Sequence, residues 1–164
     1  MATPTPTSSP TSGALLTVED RLDIDAALAR FAAGIDENDP VTLGAVFTAD
    51  ATLDFGPAAR AMGIDFPVLD GRQGIVDGVA VSVGPMDTVH MATNVRVLHA
   101  EGGGVRVTAL VNAIHHPAGV RDRHCTMHNR YDMTFVRPDG TWRMSRLLIE
   151  NRLWSGDPQV MLGE

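Results

Sequence analysis

The chain has 164 residues, a hydrophobic content of 44%, a charged content of 20% and a net charge of −7. That length suits one domain able to bury about 70% of its unfolded surface. The acidic balance argues against binding a phosphate backbone, and no apolar run approaches the roughly 18 residues of a membrane span.

Residues 1–16 form a Thr-, Pro- and Ser-rich leader with neither the basic start nor the apolar core of a secretory signal, and are expected to be disordered. Thr17 followed by Asp20 forms a capping pattern that opens a helix. Ile24, Leu28, Phe31 and Ile35 then recur at helical spacing. Beside them runs a second stripe, Asp25, Ala29, Ala32 and Asp36, whose small residues invite close approach of another element. Asn38-Asp39-Pro40 ends the helix, and Pro40 opens a short one reaching Phe47. Ala51 to Phe55 is a strand candidate. Gly56 to Asp70 is expected to be irregular, an apolar loop of the kind that covers a site. Gly71 to Val83 forms another helix, stopped by Gly84-Pro85.

The second half is strand in character. Thr88 to His99 is a strand, and Glu101 to Gly104 a turn. Val105, Val107, Ala109, Val111 and Ala113 alternate with more polar neighbours, as in a half-buried strand. His124 to Val136 and Thr141 to Trp154 form two long strands joined by Pro138-Asp139-Gly140. Helices followed by a strand meander give an α+β domain over residues 17–156, with helices on one face of an antiparallel sheet. Residues 157–164 are left as a C-terminal tail.

Cys125 is the only cysteine, so no disulfide forms within the chain, which fits a reducing cytoplasm. Arg121, Arg123 and Arg130 gather near one hairpin without interleaved aromatics, which does not make a nucleic-acid surface. His124 and His128 lie about 13 Å apart on a strand, too far to share an ion, and the adjacent His115 and His116 point to opposite faces. No metal site is expected, although His115 or His128 could line a pocket mouth.

Two residues stand out chemically. Asp36 closes an inward-capable stripe at a helix C-terminus, where the dipole and burial both disfavour a lone carboxylate and call for a partner. The alternative is a solvated helix-end acid beside Glu37 and Asp39. His90 lies between Val89 and Met91 in an apolar strand, either as a satisfied core residue or, opposite a carboxylate, as an imidazole fixed in one tautomer with the other nitrogen free. Cys125, Met127, Asn129, Tyr131 and Met133 share one strand face.

Four segments in order, Gly34-Ile35-Asp36, Phe47 to Asp54, Thr88 to Asn94 and Asp139 to Met144, resemble the SnoaL-like branch of the nuclear-transport-factor-2-like superfamily over Val18 to Trp154. The resemblance implies a cone-shaped α+β barrel: a strongly curved sheet wrapped by about three helices around an internal pocket. Within the superfamily the chain resembles the scytalone dehydratase and hexachlorocyclohexane dehydrochlorinase group. That likeness implies an Asp36–His90 dyad without cofactor, His90 removing a carbon-bound proton and Asp36 orienting and charge-balancing it. Asn129 and Tyr131 match pocket positions that hold substrate oxygen. The dehydratase tyrosines fall near Ile35 and Phe55, and the dehydrochlorinase lysine and arginine at Phe31 and Leu147, so those helpers are missing. Ketosteroid isomerase, on the same fold, has its base at Phe55 and its pocket tyrosine at Phe31, with one acid matching Asp132.

The pocket is expected to be lined by Phe31, Phe55, Met62, Phe66, Met86, Met127 and His115, with Asn151 and Trp154 as further candidates. The expected activity is a dehydratase-like lyase acting on a hydrophobic small molecule. The alternatives are a cyclase or isomerase of polyketide or terpenoid biosynthesis and a non-catalytic binding or dimerisation module. Relatives pair through the outer sheet face, which implies a homodimer or homotrimer.

Overall fold

A computed structural model of the chain describes residues 16–99 and 104–162. The leader up to residue 15 and the turn over residues 101–103 lie outside the described residues. The elements are α1 (Val18–Asp36), α2 (Pro40–Ala45), β1 (Phe47–Asp54), α3 (Gly56–Ala61), β2 (Leu69–Asp70), α4 (Gly71–Val83), β3 (Met86–His99), β4 (Val105–Pro117), β5 (Cys125–Val136) and β6 (Arg143–Gly156), followed by a 3-10 helix, Pro158–Leu162.

Helix α1 begins with the expected capping box. The Asp20 amide donates to Thr17 Oγ1 at 3.1 Å, and the Thr17 amide donates back to Asp20 Oδ2 at 2.9 Å. The same carboxylate accepts from Trp142 Nε1 at 2.9 Å and from Arg137 at 2.6 Å, which ties the start of α1 to the last hairpin. These donors, the Thr17 amide foremost, hold the Asp20 carboxyl below its ordinary value. Ile24, Leu28 and Phe31 are buried along the predicted stripe. The helix stops at Asn38, which takes a positive φ of 52°. Asp39 then accepts from the amides of Val41 and Thr42 to open α2. Gly34 lets α2 come close: a Cβ there would lie 2.7 Å from the Leu43 amide nitrogen.

The sheet has the order β2-β1-β6-β5-β4-β3. From β6 to β3 it is the expected antiparallel meander. Strand β1 instead runs parallel to β6, so the pairing is not antiparallel throughout. It starts at Phe47, earlier than expected, because Phe47 is fully buried in the sheet and does not continue α2. The segment 56–70 is not irregular over its length. Gly56–Ala61 form α3, with Pro57 in its first turn, and Leu69–Asp70 pair with β1.

Register slips bend the sheet, between Thr93 and Arg96 on β3, where Asn94 has a φ of 52°, and twice between β5 and β6. Helix α1 packs on β3 and α4 on β1, leaving a cavity against the concave face. Beyond residue 156, where the domain was expected to end, Val160 is buried in the core and Met161 reaches the cavity. No helix among the described residues is long and apolar enough to cross a membrane.

Candidate active site

The cavity and the open solvent at its mouth together span about 710 Å³. Its walls are aromatic and aliphatic: Phe31, Ile35, Phe55, Ile64 and Phe66 from the helices and the segment after α3, with Leu53, Met127 and Ile149 on the sheet. Phe55 and Phe66 pack edge to face with centroids 5.3 Å apart, and Phe31 does the same against Tyr131 at 6.1 Å. No aspartate, glutamate, lysine or arginine of the described residues lines it. Apart from Ser82, whose hydroxyl donates back into α4, the polar groups lie on one wall, His90 on β3, His115 on β4, and Asn129 and Tyr131 on β5.

Asp36 and His90, 54 residues apart, are in direct contact. His90 Nδ1 lies 2.7 Å from Asp36 Oδ1, and the His90 backbone amide donates to Oδ2 at 2.8 Å. Strand β3 is the sheet edge, so this amide faces no neighbouring strand, and the last residue of α1 satisfies it. A third donor, the Thr88 hydroxyl, reaches Oδ1 at 2.8 Å. Burial acts to raise the Asp36 carboxyl, but hydrogen bonds from the His90 ring, the His90 amide and Thr88 outweigh it and hold the group below its ordinary value. An ionised carboxylate only accepts, so Nδ1 carries the hydrogen of this contact. Nε2 has no partner among the described residues, and the ring borders the cavity. Asp36 stands behind it, facing an outer groove between α1 and β3 lined by Asp25, Ala29 and Ala32, the small-residue stripe. The side chains are 7% exposed for His90 and 22% for Asp36.

His115 is buried and meets the His90 ring edge to face, with centroids 5.4 Å apart. Its Nδ1 lies 3.2 Å from the Cys125 carbonyl oxygen and donates to it. Burial, reinforced by the His90 ring, lowers its pKa to about 4, so it is a neutral imidazole at physiological pH. Burial pushes the Tyr131 hydroxyl up and keeps it protonated. Asn129 accepts from Asn151 Nδ2 at 3.0 Å, leaving its own NH2 group unpaired among the described residues.

Several expected pocket residues lie elsewhere. Met62 caps α3, an element not foreseen, and turns to the buried Cys125, with the two sulfurs 3.9 Å apart. Burial raises that thiol to about 11, which leaves it protonated. Met86 sits at the start of β3, packed on the core outside the cavity. Asn151 supports Asn129 from outside the lining. Trp154 is 38% exposed, on the exposed last stretch of β6. Asp132 is ion-paired with Arg106 and does not border the cavity. His128 is exposed, and His124 lies against His116, not in the cavity. Among the described residues no group of three or more His, Cys, Asp or Glu side chains is placed to hold a metal ion. The expected site residues omit Thr88, Ile35, Ile64 and Met161. Thr88 was within reach of the sequence, since alternation puts it on the same face as His90.

Solved structures with this fold include a candidate aromatic ring hydroxylase from Novosphingobium aromaticivorans, 23% identical, covering 90% of this chain and 99% of its own, with a TM-score of 0.76. A candidate scytalone dehydratase from the same organism is 20% identical, covering 85% of this chain and 89% of its own, at a TM-score of 0.69. The hexachlorocyclohexane dehydrochlorinase LinA-type3 of Novosphingobium barchaimii is 20% identical, covering 85% and 91%, at 0.71. At such identities the likeness establishes the fold. No curated protein sequence matches the chain. The model of the SnoaL-like domain matches residues 16–147, from the residue before the Thr17 cap into β6. The chain therefore belongs to the SnoaL-like domain family.

Proposed function

We propose that this protein is a cofactor-independent lyase of the dehydratase type, in which His90 takes a carbon-bound proton from a hydrophobic small molecule. The observation that carries this reading is the 2.7 Å Asp36–His90 contact, with the opposite ring nitrogen unpaired beside an apolar cavity. Family membership and dehydratase- and dehydrochlorinase-named neighbours support lyase or isomerase chemistry. Nε2 accepts the proton, and the C–H electron pair forms the new double bond. A hydroxyl on the neighbouring carbon leaves as water, with a proton from Tyr131 or from the imidazolium itself. Asp36 balances the imidazolium charge while it lasts, and the Asn129 NH2 group and Tyr131 position substrate oxygen.

A second reading follows from the scarcity of acids. His115 is neutral and no cationic side chain of the described residues lines the cavity, so an isomerase or cyclase that returns the abstracted proton to another carbon needs fewer helpers. Product analysis separates the two, since only a dehydratase releases water. Screening polyketide- and terpenoid-like alcohols and ketones tests both. Asp36→Asn and His90→Gln are expected to cost about 10²–10⁴-fold in turnover with the fold intact. Full turnover in folded His90→Gln sinks the dyad, and no turnover or ligand binding at all favours a non-catalytic module.

A homodimer or homotrimer is part of the proposal. Val89 and Met91 on β3 and Leu110 on β4 are exposed on the outer sheet face, and sedimentation measures the assembly. A cytoplasmic setting is proposed with it, supported by the free thiol of Cys125.

A further inference from the structure

Asp36 Oδ1 accepts two hydrogens, from Thr88 Oγ1 at 2.8 Å and from His90 Nδ1 at 2.7 Å, and Oδ2 accepts the His90 amide. Two of these three donors differ in kind from the third. The amide can only donate, so Oδ2 is an acceptor whatever the pH. The imidazole nitrogen could donate or accept, so by itself it does not decide where the proton of the pair sits. Thr88 is buried, and among the described residues its hydroxyl has no acceptor other than Oδ1. Its hydrogen therefore points at Oδ1, a bond that is stronger to an ionised carboxylate than to a protonated carboxyl.

We propose that Thr88 is a positioning residue, whose hydroxyl donates to Asp36 Oδ1, favours the ionised carboxylate over the protonated one and so holds His90 Nδ1 as the protonated nitrogen, leaving Nε2 bare toward the cavity. The inference rests on the dyad proposed above and adds the group that sets its tautomer. Thr88 does not line the cavity and acts only through Asp36. Thr88 and His90 are alternate residues on one face of β3, so a single strand supplies all three donors and holds them in register. The need for a third donor is local. Asp36 lies at the negative end of α1, which has no basic residue in its last turn, beside Glu37. The other titratable groups around it are His115 on β4 and Tyr131 on β5, and neither donates to it.

The test uses the full chain without substrate, labelled with ¹³C and ¹⁵N, so that it stands apart from the test of turnover. The Asp36 carboxyl carbon is titrated, and the His90 ring nitrogens are read by long-range proton–nitrogen correlation. In the natural protein Nδ1 is protonated and Nε2 is not. In Thr88→Val the Asp36 midpoint is expected to rise by about one pH unit, and the His90 nitrogens to move toward a mixture of tautomers. Thr88→Ser, which keeps the hydroxyl, is expected to restore both. Thr88→Ala removes the hydroxyl without bulk and is judged by the same two signals if valine does not fit. An unchanged midpoint and tautomer in a folded hydroxyl-free variant overturns the inference, as does a serine variant that behaves like valine. Failure of the dyad as a catalyst shows separately, as undiminished turnover in His90→Gln.

Discussion

Replacing His115 by glutamine should remove a specific part of the acid sensitivity of the fold. His115 is buried and held at about 4 against an ordinary 6.5. Above 6.5 the imidazole is neutral in both folded and unfolded chains and contributes no pH dependence. Below 6.5 the unfolded chain binds a proton that the folded chain refuses until about 4, so stability falls as the pH falls through that window and levels off beneath it. At about 1.4 kcal/mol per pH unit the full gap amounts to about 3 kcal/mol, of which about 2 kcal/mol is lost by about pH 5. The lowered carboxyls of Asp36 and Asp132 act the same way, but their losses begin only near the ordinary carboxylate range, below about pH 5. Urea unfolding followed by tryptophan fluorescence, stepped from about pH 7 to about pH 4, measures the slope. The variant is expected to start lower at neutral pH, because glutamine does not fill an imidazole slot, and to fall less steeply between 6.5 and 5. Parallel curves for the two proteins would refute a buried neutral His115.

Gly34→Ala should cost about 1–3 kcal/mol in a thermal or urea melt, because the new Cβ meets Leu43 backbone at 2.7 and 2.8 Å and α2 must shift away. Asp20→Asn should lower Tm more than Thr17→Ala does. The first weakens the links to Arg137 and Trp142 as well as the cap, and the second removes only the cap. Tyr131→Phe should leave the urea midpoint unchanged, since no described residue bonds its hydroxyl, while reducing turnover of a substrate found by the screen.

The parts of this molecule that were legible in the sequence are those set by local rules. The Thr17 cap, the Ile24-Leu28-Phe31 stripe, the turn at Asn38 and the alternation of β4 follow from spacing and turn chemistry, and each stands where expected. Asp36 and His90 were each conspicuous as a polar group in apolar surroundings. Their pairing came only from family resemblance, because nothing local spans 54 residues. The misplaced residues share a cause. Alternation says which face of a strand a side chain joins, but not where along the strand burial ends, which on β6 is after Ile149. Trp154 and Asn151 lie past that limit, and the register slip after His128 shifts the faces on the way. Met62 was misplaced because Pro57 opens a short helix where a loop was expected. The parallel pairing of β1 with β6 joins distant segments and leaves no mark on either one alone.

That pairing has a consequence for how the chain reaches its final shape. The four strands from β3 to β6 are built from sequence neighbours and can zip together early, because each hairpin closes only a short loop. Strand β1 must instead find β6 near the other end of the chain, and α1 must come back to β3 to bring Asp36 to His90. The Asp36–His90 contact therefore depends on a long-range return of α1 that no hairpin of the meander supplies. In refolding from urea, the sheet signal should return before the Asp36–His90 contact does. In gradual denaturation, release of α1 would separate the two residues while much of the meander is still paired.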